Sequence, residues 1–194
     1  MPKAQSQKRP PLSELKAELK RERYKHRYNR LLRNTVFTLI VVAAVAVLAA
    51  TLWFPVMRIF GNSMTPTLQE GEIVVAVKSN SFQVGDIIGF YYGNKLIVKR
   101  CIAGPGDWVN ITDEGTVYVN GRELDEPYLE EKALGDCDIE LPLQVPEDRY
   151  FVMGDHRSTS VDSRSTVIGC ISEEQIVGKM VICIWPLSEF GRLN

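Results

Sequence analysis

The chain is short of histidine: among 194 residues there are only two, His26 and His156. A histidine-based site in the C-terminal part would have to use His156. Cysteine is also sparse. Cys101, Cys137, Cys170 and Cys183 form no Cys-x-x-Cys pair. With one histidine nearby, they offer few soft ligands and argue against a resident metal. Charge is absent altogether from Thr35 to Phe54, which excludes an ordinary soluble cytoplasmic enzyme. Basic charge is scarce after that gap: residues 55–194 hold 12 Lys/Arg against 21 Asp/Glu, whereas residues 1–34 hold 11 against 3. The basic part is a short tail and the folded part is acidic, the opposite of what a nucleic-acid binder needs. No internal repeat and no low-complexity tract is present.

What is there begins with the uncharged run, TVFTLIVVAAVAVLAATLWF. At about 1.5 Å per residue, a helix of this length spans roughly 30 Å, the thickness of bilayer hydrocarbon. Trp53 and Phe54 close it with aromatic rings suited to the headgroup level, and Pro55 stops the helix. A cleaved signal peptide would have a shorter apolar region behind a shorter basic start, with a small-x-small site after it. The run therefore reads as a retained anchor, with the basic tail on the cytoplasmic side and the acidic domain outside. Within the tail, Leu12, Leu15 and Leu19, then Tyr24, Tyr28 and Leu31, recur at helix-like spacings. That fits either a basic helix on anionic lipid or an orientation signal with partial disorder.

Beyond Pro55 the periodicity changes. Ile73–Val77, Asp86–Tyr92, Leu96–Cys101, Thr116–Asn120, Tyr150–Met153 and Lys179–Ile184 are short runs rich in Val, Ile and aromatics. Gly, Pro, Asn and Asp punctuate them, the pattern of an antiparallel sheet fold. Asn120-Gly121 is expected to close a hairpin. Residues 122–148 are acidic, carry Pro127, Pro142 and Pro146, and read as a looser insertion. Cys101 and Cys183 sit in apolar runs and are expected to be buried free thiols.

Three segments can carry chemistry. In Gly61-Asn62-Ser63-Met64-Thr65-Pro66-Thr67-Leu68, a serine lies on a bent backbone close to the end of the anchor. In Leu96-Ile97-Val98-Lys99-Arg100-Cys101, a lysine interrupts an apolar strand. If that strand is covered on both faces, desolvation lowers the Lys99 pKa and fits the amine to act as a general base. If it is an edge strand, Lys99 reaches solvent. The third segment, Met153 to Arg164, is dense in hydroxyls and alternating charges, and Asp162 and Arg164 are spaced to pair around a loop.

Taken together, these segments resemble the type I signal peptidases, the Ser–Lys membrane proteases, in their compact Gram-positive form. The match runs through residues 56–190 in the family's order. Ser63-Met64 with Pro66-Thr67-Leu68 resembles the nucleophile block, and Gly85-Asp86-Ile87-Ile88 the next. Lys99-Arg100 with Gly104-Pro105-Gly106-Asp107 resembles the block of the general base. Gly154-Asp155, Arg157, Ser160 and Asp162-Ser163-Arg164 resemble the last block, the most specific of the four.

The resemblance implies a mostly β fold, with a single transmembrane helix followed by an antiparallel β catalytic core and a small inserted β subdomain. The expected division is a tail at 1–34, an anchor at 35–54, a core from 55–107 and 148–194, and a subdomain at 108–147. It further implies that Ser63 is the nucleophile and neutral Lys99 the base. Ser160 would orient the amine and Met153 would keep it dry. Asp155, Asp162, Arg164 and Arg100 would form supporting charge pairs. Ile59, Met64, Leu68 and Val98 would line the substrate pocket, with the peptide bound by strand addition. The implied partners are signal peptides of exported preproteins and the lipid bilayer of the bacterial plasma membrane, and no cofactor or metal is implied. Gly61 stands where some relatives carry a hydroxyl for the oxyanion, leaving more of that work to the Ser63 backbone N–H. His156 replaces the usual Asn and reads as a loop residue. Two other readings stay open: Ser63 with His156 as base, and a catalytically inactive, anchored scaffold of the same fold.

Overall fold

The structure is a computed structural model that describes residues 11–193. It divides near residue 50 into two compact units. The first is a helix, α1, Leu12–Trp53, of 42 residues. It is long and apolar enough to cross a membrane, and none of its residues is buried. The helix starts far ahead of the uncharged run because the tail is itself built from Leu, Ala, Glu, Lys and Arg, all strong helix formers. Once the apolar stretch has nucleated the helix, each further turn adds at little cost. Pro11 sits just before the first turn, its carbonyl accepting from the Glu14 and Leu15 N–H groups, and Pro55 follows the last. The tail before residue 11 lies outside the described residues.

The second unit is built from strands: β1 Val56–Arg58, β2 Ile73–Val77, β3 Ile87–Tyr92, β4 Lys95–Ala103, β5 Trp108–Ile111, β6 Val117–Val119, β7 Arg122–Glu123, β8 Leu143–Gln144, β9 Arg149–Met153, β10 Ile171–Ser172, β11 Ile176–Trp185 and β12 Gly191–Arg192. They form two antiparallel sheets. The larger runs β1-β2-β11-β3-β4-β9-β10, with β12 also on β11, and the smaller runs β7-β6-β5-β8. The fold is therefore mostly β, antiparallel throughout, behind one long apolar helix.

Local sequence explains the elements. β2 alternates, burying Val74 and Ala76 and leaving Ile73, Val75 and Val77 half-exposed, the period of a one-sided strand. β4 alternates nowhere in its second half: Lys99 to Ala103 are all buried, which marks a strand covered on both faces. Asn120 and Gly121 hold φ of 52° and 76° between the paired Val119 and Arg122. These are the two left-handed residues of the expected Asn-Gly hairpin.

Three apolar clusters fill the unit. One gathers Met57, Ile59, Met64, Leu68, Val74, Ile87 and Met180 beneath the Ser63 segment. A second joins Ile102, Phe151 and Met153 to Val109, Ile111 and Val117 of the small sheet. A third packs Phe82, Phe90, Cys101 and Tyr150 on the far side of β4, with Phe82 and Tyr150 edge to face. β4 borders all three. Cys101 and Cys183 are buried free thiols, and Cys137 and Cys170 are free and half-buried.

Candidate active site

β4 places Lys99 at the centre of the larger sheet. It pairs with Ile88 of β3, while its neighbour Arg100 pairs with Met153 of β9. Gly154 follows Met153 directly, just beyond the end of β9. The residue is 3% exposed. Burial is the main cause that pulls its amine down from 10.5 to about 8, and the nearby Arg164 pulls the same way. The carboxylates of Asp162 and Asp155 oppose the shift without cancelling it.

Gly154 is the meeting point of the other two hydroxyl-bearing segments. A side chain there would strike the Ser160 Oγ and come within 2.5 Å of the Ser63 carbonyl oxygen. The requirement for glycine is thus one of space. The Ser63 carbonyl is held by the His156 N–H at 3.1 Å. The nucleophile segment is therefore pinned to the loop that follows β9. The Ser160 hydroxyl is buried and lies close enough to the Asp162 carboxylate to help hold it in its charged form.

Charge pairs lock the three segments together. Arg100 donates through Nε to Asp155 Oδ1 at 2.9 Å and through Nη2 to Oδ2 at 2.7 Å, with both side chains almost fully buried. Thr67, four residues after Ser63, donates its hydroxyl to the same carboxylate at 2.5 Å and accepts from Arg100 at 3.2 Å. Arg164 holds Asp162 through two bonds of 2.8 Å, and it reaches the Ser160 and Leu134 carbonyls as well. Burial alone would raise the Asp162 carboxyl. The hydrogen bonds and charge of Arg164, with the Gly154 N–H, outweigh that and hold it below its ordinary value.

A cleft of about 620 Å³ opens on the Ser63 side. Val56–Met64 without Asn62 form one wall, and Lys95–Val98, the stretch of β4 that leads into Lys99, form the other. Ile59, Met64 and Val98 line it. Leu68 does not: it is fully buried in the cluster beneath. Met153 is also fully buried, in the cluster shared with the small sheet. His156 sits behind the nucleophile segment, its Nδ1 3.2 Å from the Thr65 hydroxyl.

Two residues of this network have no signal in the sequence that would assign them a part. Glu126 and Tyr128 come from the acidic insertion. Glu126 is ion-paired with Arg157, both buried, and Arg157 Nε donates to the Gly154 carbonyl at 3.1 Å. The Tyr128 hydroxyl donates to Glu126 at 3.0 Å, and its ring covers the Arg100 guanidinium at 3.8 Å. A carboxylate and a phenol between prolines and acids read as surface until the fold supplies their partners.

The chain is 34% identical over 182 residues to signal peptidase I of Bacillus licheniformis, covering 84% of this chain and 95% of that protein. It is 39% identical over 150 residues to signal peptidase IB of Staphylococcus aureus, covering 67% and 77% respectively. A crystal structure of a signal peptidase I from Enterococcus faecalis aligns with a TM-score of 0.42 at 31% identity, over 51% of this chain and 96% of that one. The family model described as signal peptidase, peptidase S26, matches residues 32–185, and the chain belongs to that family.

Proposed function

We propose that this protein is a membrane-anchored serine endopeptidase that removes signal peptides from exported preproteins at the outer face of a bacterial plasma membrane, using Ser63 as nucleophile and neutral Lys99 as base. The observation that carries the reading is Lys99: a buried amine, brought down to about 8, on the strand that borders the Ser63 cleft. The signal peptidase names of the relatives support the substrate class.

In this reading the preprotein lies extended in the cleft between residues 56–64 and 95–98, adding its backbone as a strand. Ile59, Met64 and Val98 shape the space for small side chains before the cut. Leu68 backs Met64 from the cluster below. Lys99 takes the Ser63 proton as Oγ attacks the scissile carbonyl, and returns it to the departing amine. Water deprotonated by Lys99 then hydrolyses the acyl-enzyme. The Ser160 hydroxyl orients the Lys99 amine, and the Ser63 N–H faces the developing oxyanion. Asp155, Arg100, Asp162 and Arg164 fix the segments that bear these groups. The chain divides by role into tail 1–34, anchor 35–54, catalytic core 55–107 with 148–194, and inserted subdomain 108–147. The anchor holds the enzyme on the bilayer that also tethers its substrate, which raises the effective concentration of the cut site.

Ser63→Ala and Lys99→Ala are each expected to reduce preprotein cleavage by at least about 10³-fold, while His156→Ala keeps measurable activity. The pH–rate profile of the parent is expected to rise through about 8, where the Lys99 amine loses its proton. Activity retained by Lys99→Ala but lost in His156→Ala would transfer the base to histidine. Complete inactivity of the purified parent on signal-peptide substrates would make the chain a scaffold.

A further inference from the structure

We propose that Tyr128, contributed by the segment between β7 and β8, is a positioning residue for the Ser63–Lys99 pair, acting through the face of the Arg100 guanidinium. The inference rests on the Ser–Lys reading and extends it to a residue outside the four motif blocks.

Arg100 is the hub of the site. Its edge binds Asp155 twice, the Gly85 carbonyl at 2.8 Å and the Thr67 hydroxyl. Through Thr67 it reaches the nucleophile segment, through Asp155 the loop after β9, and along the backbone Lys99 itself. These bonds lie in the plane of the guanidinium and leave its face to be covered. The Tyr128 ring sits over that face at 3.8 Å, within the range where a cation is held by an aromatic quadrupole. The ring is fixed in turn: its hydroxyl donates to Glu126, which pairs with Arg157, two residues from Asp155. Burial and the Glu126 charge raise the phenol well above its usual range, so it remains a donor throughout the working pH of any such enzyme.

The ring keeps water from the Arg100–Asp155 pair. Charge pairs of this kind are strong while dry and weak once hydrated. When the face is open, Thr67 and Asp155 lose a rigid partner, and the strand bearing Lys99 is no longer held in register with the turn bearing Ser63. A misplacement of about 1 Å at such a site costs on the order of 10²-fold in rate. The charged groups facing the Lys99 amine are Asp155, Asp162 and Arg164. Admitting water relieves the burial that holds the amine down, and so favours its protonated form.

The test compares Tyr128→Leu, Tyr128→Met and Tyr128→Phe in the full chain purified in detergent, with a preprotein as substrate and Lys99→Ala run beside them. Tyr128→Leu and Tyr128→Met are expected to lower kcat at least about tenfold with KM within about twofold. Their acid limb moves to higher pH. Tyr128→Phe, which keeps the ring and loses only the hydroxyl, stays within about threefold of the parent. The proposal is overturned if the ringless variants match the parent in kcat and acid limb. It is equally overturned if Tyr128→Phe falls as far as they do, since that would assign the effect to the hydroxyl. Failure of both ringless variants to fold, with Tyr128→Phe folded, would overturn it too, by making the ring a stability element alone. In all these cases an inactive Lys99→Ala leaves the Ser–Lys reading standing. An active Lys99→Ala removes that reading whatever Tyr128 does.

Discussion

A lysine held at 3% exposure is expensive for the fold. An unfolded chain returns the Lys99 amine to 10.5, whereas the folded chain holds it at about 8. Below pH 8 the amine is protonated in both states, and the folded state bears the whole cost of a desolvated cation. Between 8 and 10.5 the folded amine has lost its proton while the unfolded one keeps it, so the unfolded state binds more protons and stability rises with pH. Above 10.5 both are neutral and the cost is gone. The difference corresponds to about 3 kcal/mol at pH 7. Lys99→Met, which fills similar volume without charge, is therefore expected to raise stability by that order at pH 7 while abolishing cleavage. The gain shrinks as the pH rises through 8 toward 10.5. Unfolding midpoints of the full chain in detergent at pH 7 and pH 10 measure it. Equal midpoints for parent and variant at pH 7 would mean that the amine is hydrated in the folded state.

At the scale of elements, the sequence announces strands where packing is one-sided or deep and is silent where it is neither. Ile73–Val77 is legible because β2 alternates, and Leu96–Cys101 because β4 is apolar on both sides of Lys99-Arg100. β7, β8, β10 and β12 are two residues each, too short to show a period. The Ser63, Lys99 and Asp155–Arg164 segments stand out because their residue types are odd for their settings. Glu126 does not, because nothing local distinguishes a buried glutamate from a solvated one among acidic neighbours. Its burial is decided by Arg157, thirty-one positions away. That difference is measurable. Removing Glu126 alone leaves the Arg157 charge buried and unpaired, which typically costs about 3–5 kcal/mol. Truncating both partners relieves much of it. A double-mutant cycle on Glu126–Arg157 is thus expected to give a coupling several times that of Glu123–Lys132, an exposed pair at 3.0 Å in the same insertion, worth under about 1 kcal/mol. Equal couplings would show that water enters the Glu126–Arg157 pair.

At the scale of the whole molecule, charge and topology are one problem. A helix of 42 residues is longer than a bilayer needs. Its charge-free part ends in Trp53, with Phe54 next in the chain, and its other part carries the tail's Lys and Arg. Orientation follows the basic residues close to the apolar run, and Arg27, Arg30 and Arg33 are the nearest. The acidic domain cannot compensate, because carboxylates count little in this rule. The molecule carries its own reporters: Cys137 and Cys170 are free and half-buried in the β unit, while Cys101 and Cys183 are buried. A membrane-impermeant maleimide should label the protein in intact protoplasts. Replacing the three arginines by glutamine should leave a fraction that reacts only after permeabilisation, and that fraction should not process exported preproteins. If the neutralised tail leaves labelling unchanged, orientation is set elsewhere, by the folding of the outer domain during export. If the parent itself is protected, the cleft faces the cytoplasm. Exported preproteins would then have to be cut on the wrong side of the membrane, and the proposed activity would lose its substrate.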